Sequence, residues 1–68
     1  MKYVVTARKD GKPKGYANIG RLFGYPYLEF GSKAEALKFD TKDEAQDLVK
    51  ICEKSGYEAQ IKQIEEEQ

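Results

Sequence analysis

Few side chains in this sequence have the chemistry that catalysis needs. The 68 residues contain no histidine, which is the commonest general base and metal ligand in proteins. The single cysteine, Cys52, rules out an intramolecular disulfide and falls on the apolar stripe of a predicted helix, so we expect a core thiol. The sequence therefore predicts a protein that is not an enzyme and that needs no cofactor.

Four carboxylates form the best candidate set for a metal ion, because they lie close together in the sequence. They are Asp40, Asp43, Glu44 and Asp47. The i, i+4 spacing of Asp43 and Asp47 is that of an ordinary helix face, and a hard cation would depend on carboxylates alone. We therefore expect no metal site.

Aromatic residues with an arginine among them form the best candidate binding surface, within residues 16–31. Tyrosine and arginine are among the side chains that protein interfaces favour as anchors. We expect this segment to dock on another protein or on a second copy of the chain. The alternative for each ring is a place in the core, since the domain has few Leu and Ile. The predicted surface consists of Tyr16, Arg21, Phe23, Tyr25 and Tyr27.

Single-stranded nucleic acid is the second candidate partner. The same aromatics would stack on bases, while basic residues in and near the loop 9–15 would neutralise phosphates. The formal net charge is zero, whereas nucleic-acid-binding domains are usually basic, so protein binding is the first hypothesis. The predicted phosphate contacts are Lys9, Lys12, Lys14 and Arg21.

The zero net charge conceals an asymmetry between the two halves of the chain. Residues 1–39 hold eight basic and three acidic side chains, whereas residues 40–68 hold four basic and nine acidic ones. Such a split suits an anionic partner for one half or contact between opposite faces of two copies. It also arises when helices recruit acids and strands recruit lysines, and folding then mixes the charges.

The first half of the sequence predicts strands and turns that position these side chains. Residues 2–8 alternate with apolar side chains on both faces, which predicts an inner strand. Asp10-Gly11 predicts a hairpin. Gly20 predicts a bulge or bend in the second strand, and Pro26 limits residues 24–31 to an edge strand or an ordered loop.

The second half of the sequence predicts a turn at 32–36, a strand at 35–39, a helix at 42–55 and a strand at 57–64. The capping box Thr41-Lys42-Asp43-Glu44 starts the helix and Gly56 ends it. Ile64 is out of phase, which indicates a bulge or a two-sided strand end. The predicted core consists of Leu37, Phe39, Leu48, Val49, Tyr57 and Ile61.

These elements predict one α+β domain, with residues 65–68 as a frayed acidic tail. We expect a mainly antiparallel sheet of four or five strands with the helix on one face, in the order ββ(β)βαβ. No apolar run approaches the roughly 20 residues that span a bilayer, and the first residues lack the apolar stretch of a signal peptide. We therefore expect a cytoplasmic protein without membrane contact.

The pattern Ala36-x-x-Phe39-x-Thr41-x-x-Glu44-Ala45, closed by Gly56-Tyr57, resembles two kinds of protein. One is a set of short uncharacterised bacteriophage proteins of Gram-positive bacteria, which also open with Lys-Tyr-Val-Val-like strands. This resemblance implies an accessory or host-takeover role in the host cytoplasm, such as inhibition of a bacterial enzyme or defence system. The other is half of a sporulation-related repeat domain, a family that binds cell-wall glycan, although residues 1–35 have no comparable helix.

Overall fold

A computed structural model describes residues 1–65, apart from the side chains of Arg21 and Leu22. It contains a four-stranded antiparallel sheet with one α-helix on one face, which confirms the predicted α+β fold. The order across the sheet is β3-β2-β1-β4. The strands are β1 (Lys2–Lys9), β2 (Lys12–Leu22), β3 (Tyr25–Gly31) and β4 (Glu58–Ile64), and the helix is α1 (Lys42–Lys54). The predicted tail lies outside the described residues except for Glu65.

Strand β1 is an inner strand, as its two apolar faces predict. It pairs with β2 on one side and β4 on the other. Val4 and Val5 are both fully buried, although neighbouring residues of a strand point to opposite faces. Val5 joins the core beneath α1, so Val4 lies on the other side of the sheet, which we call the outer face.

Helix α1 begins and ends where its sequence signals predict. The Thr41 hydroxyl accepts the Glu44 backbone N–H at 3.2 Å and donates to the Glu44 carboxylate at 3.1 Å. Past Lys54, Gly56 takes a φ of 89° that favours glycine. The helix packs against β1 and β4. Its buried stripe consists of Ala45, Leu48, Val49 and Cys52.

The strand predicted at 35–39 is wrong, so the sheet has four strands. A 3₁₀ turn occupies Lys33–Glu35, without a side-chain cap from Ser32. After it, only Phe39 forms a bridge, exchanging two backbone hydrogen bonds of 2.9 Å with Tyr3. The Leu37 N–H donates to the carbonyl of Ala17 in β2 at 3.3 Å. The segment thus touches β1 and β2 in turn, and it is too short to form a ladder with either.

The bulge or bend predicted at Gly20 is also wrong. The pairing of β2 with β3 runs without a shift through Gly20, and the irregularity lies instead where β1 pairs with β2, near Gly15. Gly15 has a φ of 112°, and a β-carbon there would lie 2.9 Å from the Gly31 carbonyl oxygen. At Gly20 a β-carbon would lie 2.6 Å from the Tyr27 ring. One glycine therefore permits a bulge, and the other makes room for an aromatic ring.

The remaining predictions for the second half agree with the structure. The β1–β4 pairing continues without a shift to Ile64, so the two-sided strand end is correct and the bulge is not needed there. Leu48 and Val49 are buried, and the other predicted core residues pack against them. The Phe30 and Tyr57 rings also meet, with centroids 4.8 Å apart. In residues 1–65 no helix is long and apolar enough to cross a membrane.

Candidate functional site

The turn between β2 and β3 holds an aromatic residue in an unfavourable backbone conformation. It has two residues, Phe23 with a φ of 53° and Gly24 with a φ of 82°. Positive φ at both positions defines a type I′ turn, which matches the twist of the flanking strands and favours Asn, Asp or Gly. A left-handed conformation costs a residue with a side chain about 1–2 kcal/mol, and for a bulky residue it is a genuine outlier.

Three aromatic side chains in and beside this turn are exposed to solvent. Phe23 is 91% exposed, Tyr25 is 76% exposed and Tyr27 is 44% exposed. Tyr25 and Tyr27 are two positions apart on β3, so they share the outer face. We call Phe23, Tyr25 and Tyr27 the aromatic tip. It is the part of the predicted surface that the structure brings together.

Tyr27 is the least exposed member of the aromatic tip. Its ring lies over Gly20, where a side chain would collide with it. A hydrogen bond to the Glu29 carboxylate, and then the negative charge of that group, raise the pKa of Tyr27 above its usual 10.0. The Tyr27 hydroxyl is therefore protonated at neutral pH. Phe23 and Tyr25 extend beyond it.

Tyr16 does not belong to the aromatic tip. It is half-buried and pairs with Gly31, whereas Tyr25 pairs with Leu22 at the far end of the hairpin. At about 3.4 Å per residue, the two tyrosines are roughly 20 Å apart along the strands. The Arg21 side chain lies outside the described part of the structure. The five predicted residues therefore do not form a single surface.

The predicted lysines lie near the opposite end of β2 from the aromatic tip, whereas Arg21 lies at the tip end of that strand. Lys12 and Lys14 are exposed beside the β1–β2 turn. Lys14 is roughly 30 Å from Phe23 along the strand. The Lys9 ammonium lies 5.0 Å from the centroid of the Tyr57 ring, an attractive cation–π arrangement on the side of the core. The structure thus separates the lysines from the tip aromatics that were predicted to act with them.

Tyr16 lines a groove on the outer face that the sequence did not predict. The groove has a volume of about 390 Å³ and lies across β2, β1 and β4. The alternation of β1 and β4 indicates the outward residues, but only the strand order brings them together. Side chains that line it include Thr6, Arg8, Pro13, Tyr16, Gln60 and Lys62.

The chain matches no protein-family model, no curated protein and no solved structure.

The cysteine and the carboxylates that were considered for catalysis or metal binding do not form a site. Burial raises the pKa of the Cys52 thiol, which is fully enclosed in the core. Lys2 forms an ion pair with Asp40, and this contact lowers the pKa of the exposed Asp40 carboxyl below its usual 3.8. Among residues 1–65, no group of three or more His, Cys, Asp or Glu side chains is placed to hold a metal ion.

Proposed function

We propose that the protein is a small, non-enzymatic binding module that docks on another protein through its aromatic tip. The observation that carries this proposal is Phe23, an apolar ring that is 91% exposed on a backbone of positive φ. Strained residues of this kind cluster at binding and functional sites, where the strain is part of the mechanism. In the folded chain alone, Phe23 costs stability and contributes no core packing.

A protein partner offsets this cost by burying the ring. Full burial of a phenylalanine contributes roughly 1.5–3 kcal/mol, which matches or exceeds the backbone penalty. Tyr25, 76% exposed, adds a second ring with an apolar body and a polar end, a type enriched at interface cores. The two-residue turn makes the tip narrow and convex, so a cleft or pocket on the partner is the matching shape.

The biological role we propose is that of a phage-type accessory protein that binds or inhibits a host protein. The resemblance to short phage proteins of Gram-positive bacteria supports the setting. A convex aromatic tip suits occlusion of a concave site on a host enzyme or defence protein. A sequence without histidine and a fully buried Cys52 support action by binding rather than by catalysis.

The test is capture of a partner from a Gram-positive bacterial lysate by the wild-type chain and two variants. Phe23→Asn removes the ring and suits the turn, whereas Ile51→Asn removes a 44% exposed apolar side chain from the helix as a matched control. We expect a protein that the wild type and Ile51→Asn retain and that Phe23→Asn loses. The captured protein is then purified and titrated against all three chains. Equal affinity of Phe23→Asn and wild type would refute docking through the tip.

A second copy of the chain is the other occupant of this surface. A domain of 68 residues without a disulfide is near the lower limit of independent stability, so association between copies would support it. Sedimentation equilibrium distinguishes the cases. Self-docking predicts a dimer mass that falls to the monomer mass in Phe23→Asn. If the wild type is a monomer at high concentration, self-docking is excluded and the partner is a different protein.

A further inference from the structure

The groove on the outer face is formed by the bulge between β1 and β2. Thr6 pairs with Tyr16, while Arg8 pairs with Pro13, so β2 inserts an extra residue between them. Pro13 and Tyr16 therefore both face outward, although they are an odd number of positions apart. Gly15, between them, also lines the groove. Bulges are frequent beside functional sites because they redirect side chains in this way.

Two cations, Arg8 and Lys62, lie at the ends of the groove. Among the described side chains, neither Arg8 nor Lys62 forms an ion pair. Glu58 is directly across from Arg8 on β4, but the Arg8 guanidinium donates to the Gly11 carbonyl oxygen at 2.9 Å. That hydrogen bond directs the guanidinium toward the β1–β2 turn. None of the described residues that line the groove is acidic.

The two cations are too far apart to hold one anionic group together. Arg8 pairs with Glu58, and Lys62 pairs with Val4, so they are four positions apart along the ladder. At about 3.4 Å per residue this is roughly 14 Å between their backbone positions. The half-buried Tyr16 ring, the Thr6 hydroxyl and the Gln60 amide lie between them.

We propose that this groove binds a short stretch of single-stranded nucleic acid, with a base against Tyr16 and separate phosphates at Arg8 and Lys62. A positively charged track with an aromatic platform between the charges is the arrangement that single-strand binders use. Thr6 and Gln60 supply hydrogen bonds to base edges or sugars. This surface is distinct from the aromatic tip, so it neither requires nor excludes docking of a protein there.

The test is a fluorescence-anisotropy titration of a labelled ten-nucleotide oligo(dT) at several salt concentrations. For a single strand the slope of log K against log salt is about −0.7 per phosphate neutralised, so two contacts predict a slope of about −1.4. Arg8→Gln and Lys62→Gln should each weaken binding severalfold at low salt and halve the slope. Tyr16→Leu should weaken it at least about fivefold with the slope unchanged, because stacking carries no charge.

Two controls separate this site from general charge and from misfolding. Lys50→Gln removes an exposed lysine from the helix and should leave affinity unchanged, as should Phe23→Asn at the aromatic tip. Tyr16→Phe keeps the ring and should retain binding. Circular dichroism checks that each variant is folded, and any unfolded variant is replaced by Thr6→Val, which removes a hydroxyl from the groove.

Several outcomes would overturn the proposal. They are no binding at 20 mM salt, equal losses in Lys50→Gln and Lys62→Gln, and equal affinity for a duplex of the same length. Competition by an acidic peptide of equal charge, as strong as that by unlabelled oligo(dT), would also overturn it, since it would show a site for anions in general.

Discussion

Helix α1 packs against β1 and β4, whereas the turn end of the β2–β3 hairpin carries exposed aromatic side chains. Under the helix, Val5 and Leu48 are almost completely buried. At the turn of the hairpin, Phe23 and Tyr25 are largely exposed, and Phe23 also has an unfavourable backbone conformation. The first region gains stability from its apolar residues, whereas in the second the backbone conformation of Phe23 costs stability. Function is therefore expected where the sequence departs from what folding alone favours.

The largest effect should come from a cavity in the helix-covered region. Leu48→Ala removes a side chain that is 2% exposed, and we expect the free energy of unfolding to fall by about 2–5 kcal/mol. Urea denaturation followed by circular dichroism measures it. Ile51→Ala, on the exposed side of the same helix, should cost less than about 1 kcal/mol. Equal losses from both changes would contradict the assignment of the buried stripe.

The next effect concerns the point where the hairpin joins the rest of the sheet. Gly15→Ala forces a side chain onto a φ of 112°, with a β-carbon 2.9 Å from a backbone oxygen of Gly31. We expect a loss of about 1–3 kcal/mol. Gly11→Ala is the matched control, because its φ is also positive but no atom lies within 4 Å of the new β-carbon. A larger loss at Gly11 than at Gly15 would show that the close approach to Gly31 is unimportant.

A change at the tip should have the opposite sign. Phe23→Asn places a residue that tolerates positive φ in the first turn position, so we expect the free energy of unfolding to rise by about 1 kcal/mol. Thermal and urea unfolding measure the gain. Tyr25→Asn, in the regular strand beside it, should instead lower stability slightly through its poor β-propensity. Destabilisation by Phe23→Asn would mean that the ring packs in the folded monomer.

The smallest effect concerns the exposed ion pair between Lys2 and Asp40. Because Lys2 lowers the Asp40 pKa, the pair stabilises the fold above the usual carboxyl pKa of 3.8 and stops doing so as pH falls through the lowered value. Asp40→Asn should therefore be slightly less stable than wild type at pH 7, and this difference should shrink as the pH falls below 3.8. A double-mutant cycle with Lys2→Met measures the coupling. An effect that persisted undiminished at the lower pH would exclude the ion pair as its cause.

Local signals predicted the helix-covered region well, because each of them depends on neighbours in the sequence. The Thr41 cap and Gly56 set the helix ends, and Asp10-Gly11 set the first hairpin turn. The prediction at Gly20 is wrong because a glycine permits either a bulge or the close approach of a ring. Which of the two occurs depends on Tyr27, its partner on β3. The strand prediction for residues 35–39 is wrong because their apolar residues alternate as in a strand, but in the fold only Phe39 pairs with the sheet.

The two candidate surfaces differ in how far they could be predicted. The aromatic tip lies within a few residues of one turn, so composition and spacing indicated most of it. The groove depends on Lys62 lying beside β1, a pairing that joins nearly the two ends of the chain. No local pattern specifies such a pairing, and Arg8 and Lys62 therefore could not be grouped from the sequence.

The pairing of β1 with β4 also determines the order in which the protein can fold. The two hairpins, β1–β2 and β2–β3, join neighbours in sequence and can form within about 1–10 μs. Strand β1 gains its second neighbour only when it pairs with β4, for example Lys2 with Ile64, and this pairing closes a loop of almost the whole chain. Long-range closure of this kind carries a large entropic cost and slows folding. During synthesis on the ribosome, one edge of β1 therefore stays unpaired until β4 has emerged.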